Sequence, residues 1–397
     1  MKKNKKMLAI ATVSLALLTT GCKSTSNLEN LQDVTINTED KGAYFPNRSI
    51  ANVDSGYYMW DESNNYLMFY DKESQQQVLL CNKPDCEHNI DETGTISKNE
   101  KCNAYCSSNY NKDKVWTYGD SILLLQFVDK KGLCLTQISS DGSERKELVC
   151  ISDNRYSDVI LTVHNGYAYY SLGKTDSIDG KVSLYKVKLK ENEQPVLIDE
   201  IEGSIPLITH IKGYGDDIYY VKFYCENYDE VNPLDADMHY ELKKYDTKAE
   251  QTSVVVEDNI DDYVLDEQNN MLYYHVCNGD VYKMNMADKT TKCIYTDDKL
   301  PLCVMGFDGE YIYIDNSQDY LLKVAEERKI YALDTEGNIV KIISSVNGYD
   351  MCLVEYGDDT YMFGEDINYL YVINKKDMFS SSDIEYDKWK KVDVVVD

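Results

Sequence analysis

The residues best suited to chemistry lie together between Leu80 and Cys106, in the stretch LCNKPDCEHNIDETGTISKNEKCNAYC. Cys81, Cys86 and His88 follow a C-x4-C-x-H spacing, Cys102 lies further along, and Cys106 supplies one more thiol. Three thiolates and one imidazole make a complete tetrahedral set, and soft sulfur ligands select zinc or iron over harder ions. Pro84 and Asp85 suit a tight turn that would bring the first two sulfurs together. Cys81, Cys86, His88 and Cys102, with Cys106 as the alternative ligand, therefore read as one structural zinc site. A full set of three cysteines and a histidine leaves no open coordination position for catalysis. One or two disulfides are the competing chemistry, which an extracytoplasmic compartment permits; His88 has no part in a disulfide. Cys134, Cys150, Cys225, Cys277, Cys293, Cys303 and Cys352 are scattered singly, mostly in strand-like context. That arrangement suits free thiols and a host with weak disulfide formation.

No other group of residues carries an equally specific signal. His164, His210, His239 and His275 are isolated and read as packed or surface histidines. There is no G-x-S-x-G elbow for a serine hydrolase, and no C-x-x-C-H for haem attachment. A peptidase of the prolyl-oligopeptidase kind would need a hydrolase domain after the last repeat, whereas the final residues read as that repeat's outer strand. Arg48, Arg145, Arg155 and Arg328 share no register for gripping a substrate carboxylate. DSIDGK and NPLDAD depart from the EF-hand spacing and read as solvated loops. Sixty-nine acidic residues leave a two-carboxylate carbohydrate hydrolase or lyase as the alternative reading.

The compartment follows from the first residues. Lys2, Lys3, Lys5 and Lys6 precede an apolar run, MLAIATVSLALL, and TTGC ends at Cys22. Twelve apolar residues are too few to span a bilayer, and they fit a signal peptide over residues 1–21. Gly-Cys at the end of such a run resembles the bacterial lipobox, with Thr19 where that pattern prefers Leu. Cys22 is then the lipidation site, residues 22–44 a polar tether, and residues 45–397 the folded domain on the extracytoplasmic face of the cell membrane. The formal net charge of −28 excludes nucleic acid as a partner and argues against adsorption to acidic headgroups.

The elements that must position the cysteines are repeats. A turn containing Gly, Asn or Asp leads into a Tyr-rich strand, then a second strand with Leu-Tyr or its equivalent, then a short aliphatic strand. SGYYMW, GDSILLL, NGYAYY, GDDIYY, NNMLYY, DGEYIY and GDDTYM begin the copies, and each follows a further short apolar run. Equivalent positions Ile122, Tyr169, Tyr219 and Tyr273 recur at intervals of 47, 50 and 54 residues. Four strands per unit at this period predict an all-β fold, a β-propeller with seven four-stranded blades, or six or eight should one unit be miscounted. Alternating polar and apolar residues mark the strands, and SSDG and DTEG read as hairpin turns. The best helical stretch, DYLLKVAEERK, is short. Thirty-five tyrosines against seven phenylalanines predict rings packed between blades with their hydroxyls in water, rather than a platform for sugars.

Antiparallel blades sort the long loops. Ser171–Lys181, Cys225–Met238 and Asp315–Glu327 are B–C insertions, and the cysteine segment 81–106 is a D–A connection, so all four are expected on one face. Asn374–Trp389 falls on the other. LCNKPDCEHN followed by CNAY, behind a lipobox, resembles a group of propeller lipoproteins of anaerobic Gram-positive bacteria, labelled TolB-like or of unknown function. The likeness spans nearly the whole chain; Cys106 lies outside its pattern, and IDETGTISKN lengthens the gap to Cys102. It implies the fold and the lipid anchor, with no settled activity. The function expected is a monomeric, membrane-anchored binding module that takes an extracellular protein, peptide or glycan on its loop-rich face.

Overall fold

The computed structural model describes residues 50–395 apart from 62–63, 90, 92–94, 107–114, 154–157, 174–178, 191–192, 227, 229–236, 278, 298–303, 316–328, 345–352, 366–369, 381–388 and 393. The signal, Cys22 and the tether lie outside these residues, as does most of DYLLKVAEERK. All described residues belong to one compact unit, Ile36–Asp397.

Runs of tyrosine and β-branched residues between turn-formers make the strands. The first sheet contains β1 (Ile50–Val53), β2 (Gly56–Asp61), β3 (Tyr66–Asp71) and β4 (Gln76–Leu79). The second contains β5 (Val115–Tyr118), β6 (Ser121–Val128), β7 (Gly132–Ser139) and β8 (Arg145–Ser152). Next come β9 (Asp158–His164), β10 (Tyr167–Gly173), β11 (Asp179–Lys188), β12 (Val196–Tyr214), β13 (Asp217–Glu226), β14 (Asp237–Asp246) and β15 (Gln251–Glu257), hydrogen-bonded as one seven-stranded sheet. A further sheet has β16 (Ile260–Asp266), β17 (Met271–Val276), β18 (Asp280–Asn285) and β19 (Thr291–Thr296). It is followed by β20 (Val304–Phe307), β21 (Tyr311–Asp315), β22 (Lys329–Asp334) and β23 (Ile339–Ser344). The last sheet has β24 (Leu353–Gly357), β25 (Tyr361–Glu365), β26 (Leu370–Asn374) and β27 (Lys390–Lys391). Within every sheet these strands pair antiparallel in chain order. The fold is a β-propeller.

The seven-stranded sheet exists because β12 is 19 residues long. It pairs with β11 from Val196 to Ser204 and with β13 from Ser204 to Tyr214. Its register breaks between Ser204 and Leu207 and again between Thr209 and Lys212, where Ile205 and His210 adopt φ of 52° and 48°. Division at the first break leaves seven four-stranded units among the described residues, numbered below in chain order.

The buried residues form clusters between adjacent units. Tyr169, Val182 and Leu184 of unit 3 meet Ile208, Ile218 and Tyr220 of unit 4. Val264 and Tyr273 of unit 5 meet Met305 and Ile312 of unit 6. The largest cluster joins unit 1 to unit 2 through Ile122 and Ile138, and to unit 7 through Tyr361 and Phe363. Because neighbours cover both faces of each sheet, inner strands such as β6 and β7 are buried continuously, with none of the predicted alternation. Outer strands such as β15 and β19 are mostly exposed.

Three further expectations are corrected. Tyrosine hydroxyls were expected in water, yet buried Tyr57 donates to Asp358 (2.8 Å), Tyr220 to Asp199 (2.6 Å) and Tyr313 to Asp308 (2.7 Å). A buried hydroxyl requires an acceptor, and carboxylates at neighbouring turns and strands supply it. Cys134 and Cys150, read as separate free thiols, form a disulfide across β7 and β8, where the hairpin register sets them opposite each other. Finally, the chain leaves unit 7 after Val392, whose N–H still donates to the Leu370 carbonyl, and β28 (Val394–Val395) pairs in parallel with β4 of unit 1. A short helix, α1 (Lys375–Ser380), occupies the start of the Asn374–Trp389 insertion.

Candidate metal centre

The cysteine segment leaves β4 and returns to unit 1 before β5. Leu80 donates its backbone N–H to Leu67, so the segment starts pinned to β3. Lys83-Pro84-Asp85-Cys86 then forms a tight turn closed by the Cys86 N–H on the Lys83 carbonyl (3.3 Å), with Asp85 at φ 61°. Asp and Asn tolerate this left-handed conformation better than most residues. The turn brings Cys86 back beside Cys81, as expected from Pro84 and Asp85.

The second half is held from below. The Tyr66 hydroxyl donates to the Ser97 carbonyl (2.7 Å) and accepts from the Asn99 N–H (2.9 Å). Asn64 accepts from the Ile96 N–H (2.8 Å), and Leu67 donates to the Ala104 carbonyl (2.9 Å). These contacts fix Cys102, which is buried.

Cys81, Cys86, His88 and Cys102 thereby present one ligand atom each, all within 4.8 Å of one another. His88 Nε2 lies 3.2 Å from the Cys102 sulfur. A tetrahedral zinc with Zn–S near 2.3 Å would set its sulfurs roughly 3.8 Å apart, so the cluster has the size of such a site. Three of the four residues are half-buried, and none is disulfide-bonded. The hydrogen bond from Cys102, aided by the Lys83 backbone, Cys86 and the field of His88, draws Cys81 down to about 5 against the effect of burial. The same hydrogen bond and burial push Cys102 well up. Burial, then the neighbouring Cys81, raises Cys86. The bare cluster thus favours one thiolate flanked by thiols; a divalent cation would displace the remaining protons. The four residues can hold a metal ion.

Cys106 is not brought into this group. It is fully buried, its thiol donates to the Ala104 carbonyl (3.5 Å), and burial pushes it up to about 12. A backbone bond from Cys106 to Asn65 carries it down into the core of unit 1, away from the other ligand atoms.

Several residues at this centre were missed in the sequence. Asn99 donates to the Cys86 sulfur (3.5 Å) and to the Glu87 carbonyl (3.1 Å). Lys83 Nζ donates to the Lys101 carbonyl (2.6 Å), tying the two halves of the segment. Asn103 donates to Gly142 (3.0 Å) and Ser143 (2.7 Å), and Arg145 donates to Asn103 (3.2 Å) and Tyr105 (2.6 Å). The segment is therefore stitched to the β7–β8 hairpin of unit 2 and does not stand free as a face loop. Arginine is scarce in this chain, and that scarcity is the one signal that could have singled out Arg145.

The other candidate chemistry is differently placed. Buried Asp262 accepts from Lys212 (2.6 Å), from the Tyr263 and Met305 backbone (both 2.8 Å), and lies 3.1 Å from His210 Nδ1. It joins β12, β16 and β20 instead of pairing with a second carboxylate. Asp266 caps the turn at Asn269, and Asp261 lies 3.3 Å from buried His275. The insertions after Gly173 and Glu226 spring from the same end of the seven-stranded sheet, because Asp179 and Cys225 both pair with Ser204. Exposed Ile205, Leu207 and Met238 lie at that end. The bulk of the Asp315–Glu327 insertion lies outside the described residues.

No protein-family model matches the chain, and no curated protein matches it. Among solved structures, it is similar to the computationally designed Ika8 protein (TM-score 0.45, 9% identical, covering 85% of this chain and 98% of that one). It is also similar to Sqt1 of Saccharomyces cerevisiae (TM-score 0.40, 9% identical, 85% and 94% covered). A third is BamB of Moraxella catarrhalis (TM-score 0.40, 9% identical, 82% and 81% covered). No residue role follows from these likenesses.

Proposed function

We propose that the chain is a lipid-anchored, extracytoplasmic propeller that acts as a binding module, with one structural zinc held by Cys81, Cys86, His88 and Cys102. The convergence of four ligand atoms within 4.8 Å, on a segment already fixed by Tyr66, Asn64 and Asn99, carries this reading. Their number fills a tetrahedral shell, so the ion serves architecture and not turnover. A disulfide elsewhere in the same chain, Cys134–Cys150, sharpens the contrast, since the clustered cysteines stay unpaired beside one another. Binding is assigned to the end of the seven-stranded sheet from which the two insertions spring, beside exposed Ile205, Leu207 and Met238, with an extracellular protein, peptide or glycan as ligand. Cys22 carries the lipid.

The test is elemental analysis with thiol counting on the domain from Lys23, purified without reductant or chelator. One zinc per chain, with Cys81, Cys86 and Cys102 shielded from alkylation until a chelator is added, is the expected result. No metal, and thiols lost in pairs, would make the segment a disulfide staple.

A further inference from the structure

Unit 1 is where the first and last strands of the described residues share a sheet. β28 pairs with β4 through Val394↔Gln77 and Val395↔Val78, so β4 is the strand on which the last strand docks. β4 ends at Leu79, and Cys81 follows it by two residues. On the other side of the cluster, Cys102 leads directly into Asn103, Ala104 and Tyr105. Asn103 and Tyr105 take up the bonds to Gly142, Ser143 and Arg145 of unit 2. Gly142 is close enough to the segment that a Cβ on it would lie 2.3 Å from the Leu80 carbonyl oxygen. The four ligands thus sit at the junction of two connections, one to unit 2 and one to the C-terminal strand.

We infer that metal occupancy of this centre clasps the ring shut, holding β4 in place for β28 while fixing Asn103–Tyr105 against the β7–β8 hairpin. This step rests on zinc being the bound ion. Few contacts join β28 to the sheet, since it is two residues long, and its position depends on the strand beneath it. Cross-linking Cys81 to Cys102 removes the freedom of the intervening chain and so orders both flanks at once. Without the ion, the flanks are joined by hydrogen bonds such as those of Leu67, Leu80, Lys83 and Asn99, with no cross-link between Cys81 and Cys102.

The experiment is hydrogen exchange on the full chain with zinc, after chelator treatment, and after zinc is restored, with metal content measured each time. Removal of zinc is expected to speed exchange at least tenfold in 76–79, 139–145 and 394–395, to leave β16–β19 unchanged, and to reverse on re-addition. An Asn103→Ala variant separates the two connections. It is expected to keep its zinc and its slow exchange at 394–395, and to exchange faster at 139–145. Zinc lost with exchange unchanged in those three segments, or changed equally in every sheet, overturns the clasp and leaves the zinc site standing. A chain that binds no zinc at all sinks both.

Discussion

Asn99 donates to the Cys86 sulfur while its backbone leans on the Tyr66 hydroxyl, so it links the ligand cluster to the sheet below. Groups that orient ligands typically account for about 10–100-fold in metal affinity. Asn99→Ala is therefore expected to keep all four ligands yet weaken zinc about tenfold in competition against a chromophoric chelator; unchanged affinity would remove Asn99 from the site. Asp262 governs a different kind of contact. Burial pushes its carboxyl up, but the charges and hydrogen bonds of Lys212 and His210 outweigh that and hold it below the usual carboxylate range. Asp262→Ala would strand buried Lys212 and is expected to cost about 3–5 kcal/mol in urea unfolding. A depressed carboxylate stabilises the fold above its unfolded value, near ~3.9, and loses that contribution only as pH falls toward its folded value. The stability gap between wild type and Asp262→Asn should narrow only below about pH 4. A gap that closes at higher pH would contradict the pairing.

At the level of elements, the β7–β8 hairpin carries both the disulfide and the stitch to the cysteine segment. Sixteen residues separate Cys134 from Cys150, and the double Ser variant is expected to lose about 3 kcal/mol while keeping its zinc. Loss of metal along with stability would mean that hairpin and centre form one unit. Gly142 turns this hairpin at φ +72°, where any side chain is strained even before it meets Leu80. The hairpin itself was legible, because SSDG is a turn signal whatever surrounds it. The disulfide was not, since facing cysteines depend on a register that shifts twice along β7–β8. The same division holds at the metal centre. Cys81, Cys86 and His88 are close in sequence, so a local turn suffices to join them and their spacing advertises it. Asn99 acts only once the segment is folded against Tyr66, and Asn103 and Arg145 act through contacts that the packing of unit 1 on unit 2 creates. Tyrosine repeats announced the strands, but which Asp meets the Tyr57 or Tyr220 hydroxyl depends on the neighbouring unit, and for Tyr313 on the turn before its own strand. The last strand was misplaced because Val394–Val395 has the same aliphatic pattern as any outer strand, and only its parallel pairing sends it to unit 1.

For the whole molecule, the proposed lipid anchor has the plainest readout. Cys22→Ser is expected to move the protein from the membrane fraction to the soluble one without altering its zinc content; retention in the membrane would require another anchor. The propeller itself is uneven around its circumference. Most neighbouring units touch through side chains, and such joints can flex by small rotations without breaking backbone bonds. β12 reinforces one joint, because a single strand belongs to both units it connects. Units 3 and 4 are therefore joined by continuous backbone as well as by packed side chains, through a strand bent at Ile205 and His210. That joint cannot open without breaking a strand, so slippage between neighbouring units is expected first where side chains alone hold them.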